Sequence, residues 1–396
     1  MKVRLLEIEN KEDAIKELQA IQVHRDAFKI LLNKLFFKKI KIEKVTPAEA
    51  NILKQTALAC GGEACVPGWA ITGKGKLCDV ILAGTIKQLL QVAKELACQP
   101  FSLPQIGKLI EECLNDNGMV MHLPRHEINF SKKTYVCGIL NLTPDSFYDG
   151  GKYMDVGHAI ERVHEMLDEG ADMIDIGGES TRPGAEPVSV DEELRRVMPV
   201  LERLDVDVPV SIDTYKSKVA KEALEAGCEI VNDISGLRFD KAMAKVIAEK
   251  GAGCVIMHIK GKPKNMQTNP HYEDTINEIL DYLKEGIEIA HSHGIKDDKI
   301  IIDPGIGFGK RNPYDNLLIL KYLKELKTLK YPILIGVSRK SFIGKVLNRE
   351  KEERLIGSIA SSIIGAMNGA NIIRTHDVRE TVEAVKMFDA IMKIER

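Results

Sequence analysis

From Tyr135 onward the sequence repeats one design eight times: a short apolar run, polar residues at its end, then a segment with helical spacing of apolar positions. The runs are Tyr135 to Leu142, Met173 to Gly177, Val208 to Asp213, Glu229 to Ile234, Gly253 to Ile259, Lys299 to Asp303, Pro332 to Val337 and Asn371 to Thr375. The helical segments begin near Asp155, Val190, Lys216, Asp240, Tyr272, Pro313, Glu352 and Val378. Eight strand and helix units over roughly 260 residues have the count and length of a (β/α)8 barrel. A doubly wound sheet would need fewer strands and a glycine-rich first turn, and the sequence has neither.

At 396 residues the chain is longer than such a barrel needs, which predicts a second domain. Residues 1 to 125 read as a small α+β unit, and residues 126 to 396 as the barrel. Helices are expected over Lys11 to Gln22, Arg25 to Phe37, Ile86 to Leu96 and Pro104 to Leu114, with another opened by Thr46 as N-cap and Pro47 behind it. Lys39 to Val45 and Asp79 to Gly84 read as strands, and Asn115-Asp-Asn-Gly118 as the start of a linker. Gly73-Lys-Gly-Lys76 lacks the spacing of a phosphate loop and reads as a solvated turn.

The formal net charge of -2 provides no basic field for nucleic acid or an anionic membrane, so an anionic ligand needs a local site. The N-terminal residues have no apolar segment of the kind that directs secretion or insertion, and cytoplasm is the expected compartment. Eight cysteines without a C-x-x-C pair read as reduced thiols, not as a metal site.

In a barrel of this kind, the groups at the C-terminal ends of the strands converge on one pocket. Here they are Asn141, Glu179 to Gly184, Asp213, Asn232 with Asp233, Met257 with His258, Asp303, Ser338 to Ser341, and Arg374 with His376. Asp213, Asn232, Asp303 and Lys340 together offer donors and acceptors to a flat heterocycle with an amidine-like edge. Arg374, His376, Asn141 and Arg182 are cationic or metal-capable and suit a phosphate or pyrophosphate with Mg²⁺. Ser341 and Phe342 open a helix whose free N–H groups can hold a small carboxylate. Each position also has a plainer reading: Asp233 equally suits a helix cap, and His258 a structural hydrogen bond.

The blocks Gly138-Ile-Leu-Asn-Leu-Thr-Pro-Asp-Ser-Phe147, Asp175-Ile-Gly-Gly-Glu-Ser-Thr-Arg-Pro-Gly184, Ser211-Ile-Asp-Thr-Tyr215, Val231-Asn-Asp-Ile-Ser235, Asp303-Pro-Gly-Ile-Gly-Phe-Gly-Lys310, Ser338-Arg-Lys-Ser-Phe-Ile-Gly344 and Arg374-Thr-His-Asp377 together resemble the dihydropteroate synthases. The resemblance implies condensation of 6-hydroxymethyl-7,8-dihydropterin diphosphate with 4-aminobenzoate to 7,8-dihydropteroate and pyrophosphate. It implies pterin contacts from Asp213, Asn232, Asp303 and Lys340, with Ile234, Met257 and Phe308 as walls. Asn141, Arg374 and His376 would hold diphosphate and Mg²⁺, with Asn141 as the metal residue. Asp145, Phe147, Asp149, Thr181, Arg182 and Pro183 would lie on two loops that complete the aminobenzoate site, with Ser341 at its carboxylate. Asp149, Arg182, Lys340, Arg374 and His376 are the expected catalytic set. Thr375, Lys262 and Asn265 depart from the family pattern without touching the pocket.

The nearest alternative is a pterin-dependent methyltransferase on the same barrel, which would have no use for Ser338 to Ser341 or for Arg374 and His376. A non-catalytic ligand sensor would have no use for a leaving-group site. The resemblance also implies a homodimer through barrel helices.

Overall fold

The computed structural model describes residues 3, 6, 8, 11–115, 119–143, 156–182 and 184–394. The expectations for Asp145, Phe147, Asp149 and Pro183, and for most of the linker, fall outside the described residues. The chain divides into two compact units, Met1–Asn117 and Gly118–Glu395.

The first unit is built on a three-stranded antiparallel sheet in which Cys78–Thr85 runs between Phe37–Val45 and Glu63–Cys65. Helices Pro47–Ala59, Ile86–Leu96 and Leu103–Leu114 bury Leu53, Leu89, Leu96 and Ile110 with the sheet's Val80 and Leu82. Two of these helices begin with a reciprocal cap, Thr46 with Glu49 and Thr85 with Gln88, so their otherwise unpaired first N–H groups are bonded within the chain. The segment Gly73 to Lys76 is exposed, as a solvated turn should be. Glu63–Cys65 is too short to have shown a strand period in the sequence.

The second unit is the barrel. Its strands are β1 (Tyr135–Asn141), β2 (Met173–Gly177), β3 (Val210–Asp213), β4 (Ile230–Asp233), β5 (Gly253–Met257), β6 (Ile300–Asp303), β7 (Leu334–Gly336) and β8 (Ile372–Thr375). All pair in parallel, β6 through β1 in descending order and then β8 and β7, and a bridge between Ile302 and Ile333 closes the ring. The strands beginning at Val210 and Leu334 are shorter than the apolar runs because Pro209 and Pro332 have no N–H to give the ladder. The helix opened by Ser341 spans Ser341–Leu347 and the one expected near Glu352 spans Leu355–Met367, separated by Asn348 in a left-handed conformation that ends the first.

A hairpin, Val120–His122 with Glu127–Asn129, plugs the N-terminal end of the barrel. It straddles the division at residue 125 expected from the sequence and belongs to the barrel unit. Its Met121, Leu123, Ile128 and Phe130 pack on one apolar residue from each of seven strands: Cys137, Met173, Ile230, Val255, Ile301, Leu334 and Ile372. The buried Glu229 carboxylate accepts from the backbone N–H of Arg125 at 2.5 Å and bonds the ring of His126, which fastens the hairpin's turn. One end of the barrel is thus sealed with apolar side chains, and the polar strand tips gather at the other. Among the described residues no helix is long and apolar enough to cross a membrane.

Candidate active site

Register places the tip residues in rows. Asn141, Gly177, Asp213 and Asn232 are successive Cα partners across β1 to β4, and Asp175 partners Ser211 two residues below. Side chains two apart on a strand face the same side, so the second row lies directly beneath the first. Glycine at 177 matters here: an added Cβ would stand 3.4 Å from the Cβ of Asp213, against the carboxylate's flank.

The two rows meet at Arg374, reaching in from β8. Its Nε donates to Asp175 Oδ2 at 2.6 Å and its Nη2 to Asp213 Oδ2 at 2.8 Å, while Asn232 Nδ2 donates to Asp175 Oδ2 at 3.0 Å. Asp175, Asp213 and Asn232 are all buried, yet Oδ1 of each has no hydrogen-bond partner, nor does the hydroxyl of Ser211. Buried polar atoms in native proteins are rarely left unpaired, and four in one place mark a site that a ligand completes. Two carboxylates and one guanidinium also leave the cluster with a net negative charge. Burial accordingly pushes the Asp213 carboxyl up to about 7, against the opposing pull of Arg374. Burial also works against the charge on Arg374, but Asp175 and Asp213 outweigh it and hold the guanidinium firmly protonated.

The opposite wall is the segment that follows β6. Asp303 accepts from the N–H of Gly305 at 2.7 Å, and burial raises its carboxyl against the pull of Lys340. Every carbonyl from 305 to 309 is capped by a side chain: Gly305 and Phe308 by Lys310 at 2.9 Å, Ile306 by Lys340, Gly307 by Gln267 at 2.5 Å, and Gly309 by the Tyr272 hydroxyl at 2.6 Å. Gly305 and Gly309 have positive φ, and a Cβ on either would overlap the carbonyl oxygen of His258 or Lys260. Glycine and these caps together hold the loop in one shape against the tip of β5. Lys340 lies over the Phe308 ring with its nitrogen 4.9 Å from the centroid, and burial brings its ammonium down to about 8. Ile234 and Met257 belong to one apolar cluster against which Phe308 packs, so the three expected walls are brought together.

On the rim, Ser338, His376 and Asn141 form a directional chain. Ser338 Oγ donates toward Asp377 at 3.4 Å and contacts His376 Nδ1 at 3.1 Å, and His376 Nε2 lies 3.3 Å from Asn141 Nδ2. Burial and then Arg374 push the His376 imidazole down to about 4, so it is neutral at physiological pH. Of the two roles its residue type allows, cation or neutral hydrogen-bonding and metal-capable group, the imidazole is in the neutral form. A neutral ring with its proton on Nδ1 accepts from the Asn141 amide at Nε2 and turns the Asn141 oxygen away. Of the expected aminobenzoate residues, Thr181 is half-buried, and Arg182 and Ser341 are exposed. Asn312 Nδ2 donates to Ser341 Oγ at 3.1 Å.

Sequence reasoning left three residues without a role. Asp175 sits at the centre of the polar cluster. Lys310 is fully buried and bonds His258 Nδ1 at 2.8 Å as well as its two carbonyls. Glu179 accepts from the Tyr215 hydroxyl at 2.6 Å, the N–H of Val188 at 3.2 Å, and the Lys216 ammonium, tying down the base of the segment that carries Thr181 and Arg182. Asp233 caps no helix, since the next one begins at Met243; it accepts from the N–H groups of Ser235 and Leu237 and shapes its own turn, while His258 is a buried hydrogen-bond partner of Lys310.

A family of pterin-binding enzymes matches residues 137–376. A dihydropteroate synthase of Clostridium beijerinckii is 49% identical over 276 residues, 69% of this chain and 100% of that one. The crystal structure of Burkholderia cenocepacia dihydropteroate synthase complexed with 7,8-dihydropteroate is 38% identical, with a TM-score of 0.64, over 70% of this chain and 98% of that one. A probable bifunctional folylpolyglutamate synthase/dihydropteroate synthase of Haloferax volcanii is 38% identical over 357 residues, 87% of this chain and 42% of that one. That alignment is too long for the unit Gly118–Glu395 alone and takes in part of the N-terminal unit. With the matched region spanning every strand of the barrel and each tip residue described above, the chain belongs to the dihydropteroate synthase family.

Proposed function

We propose that the barrel condenses 6-hydroxymethyl-7,8-dihydropterin diphosphate with 4-aminobenzoate, giving 7,8-dihydropteroate and pyrophosphate by a dissociative, SN1-like displacement. The observation that carries this reading is the set of buried acceptors without donors around Asp213, Asn232 and Asp175. A pterin's amino and lactam N–H groups supply what those oxygens lack, and its flat ring fits between Ile234, Met257 and Phe308. Lys340, held over Phe308 and facing Asp303, completes the edge with a donor.

An aromatic amine is neutral and nucleophilic at pH 7, so the second substrate needs no general base. The protein's task is to hold the methylene carbon in line and to stabilise charge as the diphosphate departs. The acidic cluster favours the cation that develops on the pterin methyl group. Arg374, with Asn141 and His376 beside it, binds the departing anion, and Arg182 with the N–H groups opening Ser341–Leu347 takes the aminobenzoate carboxylate. Burial and Arg374 do most to keep the His376 imidazole neutral, and Lys351 and Arg182 add to them in the same direction.

The Asn141 oxygen, turned outward by His376, offers the hard oxygen that Mg²⁺ prefers, and one protein ligand is enough for an ion that keeps water and phosphate oxygens. When bound there with the diphosphate, Mg²⁺ supplies charge neutralisation to the leaving group. We also assign a homodimer. Helix Leu355–Met367 turns its small residues Ser358, Ser362, Gly365 and Ala366 inward and leaves Ile356 82% exposed, with Ile364 and Met367 beside it. That pattern suits a second copy. Free thiols throughout fit a cytoplasmic enzyme.

The test is release of pyrophosphate from the pterin diphosphate. Continued release over many turnovers should require both 4-aminobenzoate and Mg²⁺, and removing Mg²⁺ with a chelator should stop it. Steady release that ignores 4-aminobenzoate would overturn the assignment.

A further inference from the structure

Asp175 stands inside an apolar strand, 1% exposed, with one oxygen shared between Arg374 Nε at 2.6 Å and Asn232 Nδ2 at 3.0 Å. Asn232 is 5% exposed, and its Oδ1 has no partner. A side-chain amide has one donating and one accepting end, and only the donating end can face a carboxylate. The neighbour at 175 therefore decides which end of Asn232 is left for a ligand.

We propose that Asp175 is a positioning residue that sets the selectivity of the pocket: by engaging the nitrogen of Asn232 it keeps an acceptor available there, so that the pocket selects a heterocycle presenting N–H groups over one presenting carbonyl oxygens. The same carboxylate oxygen holds Arg374, so the orientation of the reading group and of the leaving-group cation are set by one atom. This rests on the assignment of the pocket to a pterin. Asp213 Oδ1 is a further acceptor without a donor in the same rows, which puts the Asn232 oxygen beside a group of the same polarity.

The experiment compares binding of 6-hydroxymethylpterin with its 2-oxo analogue, in which an acceptor replaces the amino donor, by calorimetry. The unsubstituted protein should prefer the pterin at least a hundredfold. Asp175→Leu removes the acceptor and frees the Asn232 amide to turn, so the preference should fall about tenfold. Asp175→Asn can still present an oxygen to Arg374 and Asn232 and should keep the original ratio, whatever it does to absolute affinity. A general loss of packing would weaken both ligands together and leave the ratio unchanged in both variants. An unchanged ratio in a folded Asp175→Leu would overturn the proposal. If the unsubstituted protein bound neither ligand, the pterin assignment itself would fall.

A second measurement needs no variant. In ¹⁵N-labelled ligand-free protein the Asn232 side-chain amide protons should be protected from exchange and should stay so, without a large shift, when 6-hydroxymethylpterin is added. Protection that appears only with the ligand would mean that the nitrogen faces the pterin, and would also overturn the proposal.

Discussion

Gly305→Ala separates two costs that a glycine substitution usually mixes. Gly305 has φ +66, and an added Cβ would fall inside the van der Waals radius of the His258 carbonyl oxygen, a backbone atom that cannot swing aside. The left-handed conformation alone costs a non-glycine residue about 1–2 kcal/mol. Overpacking against backbone adds about 1–3 kcal/mol, for a total of about 2–5 kcal/mol. At about 2–4 °C per kcal/mol for a unit of this size, the melting temperature should fall by about 4 to 20 °C. The loop must lift to relieve the overlap, and lifting breaks the 2.7 Å bond from Gly305 N–H to Asp303 and loosens the Lys310 caps. Losing a hydrogen bond to a charged group costs about 1.5–3 kcal/mol, so pterin affinity should drop between about tenfold and a hundredfold. Gly294→Ala is the control. Gly294 has φ +89 with nothing within 4 Å of its Cβ position, and lies in the connection into β6, away from the strand tips. It should lose about 1–2 kcal/mol of stability and no affinity. Calorimetric melts and titration with 6-hydroxymethylpterin read both quantities. If Gly305→Ala matched Gly294→Ala in both, the argument that this loop is held by close backbone approach would fail.

Other outcomes follow from the same geometry. Because Lys340 is brought down to about 8 and Asp213 raised to about 7, kcat/KM should rise as Asp213 ionises near 7 and decline as Lys340 deprotonates near 8, with no contribution from His376, which at about 4 is neutral throughout; Lys340→Arg should remove the alkaline decline. Glu229→Gln should lower the melting temperature by weakening the hairpin's anchor at the sealed end of the barrel while leaving kcat unchanged, since among the described residues the Glu229 carboxylate bonds Arg125 and His126 alone. Lys216→Met should raise KM for 4-aminobenzoate more than the dissociation constant for pterin, because it releases Glu179 from the base of the segment bearing Thr181 and Arg182.

The barrel and most of the tip residues were legible because the same arrangement carries both signals. A parallel strand buried on both faces is apolar along its length and becomes polar where it leaves the sheet, so Asp213, Asn232, Asp303 and Arg374 stand out in sequence at the positions where they meet in space. Two kinds of residue were not legible. Asp175 lies one step inside its run, between Ile174 and Ile176, and its partners come from β4 and β8; a carboxylate in the middle of an apolar strand is the signal that marks such a position. Lys310 reads as an ordinary surface lysine, because nothing local says that His258 and two carbonyls will enclose it. His376 is a third case: its residue type allows a cation or a neutral group near physiological pH, and only its burial beside Arg374 commits it to the neutral form.

The ligand-free cluster should also be less stable than a neutral version of itself, and Asp213→Asn tests that. Arg374 faces two carboxylates, so replacing one leaves a one-to-one pair with Asp175 and removes the excess negative charge. Asparagine can still accept from Arg374 through its oxygen. The folded-state carboxyl of Asp213 lies near 7, above the 3.8 it has when exposed, and so between these values the folded chain holds a proton that the unfolded chain has released. Stability contributed by this group is therefore present below about 4 and lost as pH rises toward 7. Asp213→Asn has nothing to lose over that range. Its melting temperature should equal the parent's near pH 4, exceed it progressively up to pH 7, and keep a constant margin above, on the order of 4 kcal/mol by linkage between 3.8 and about 7. Pterin binding should be lost at the same time, because the acceptor that the ring's N–H groups need has gone. A pH-independent difference, or a less stable variant at pH 8, would show that Arg374 satisfies both carboxylates and that the unpaired oxygens store nothing for the ligand to recover.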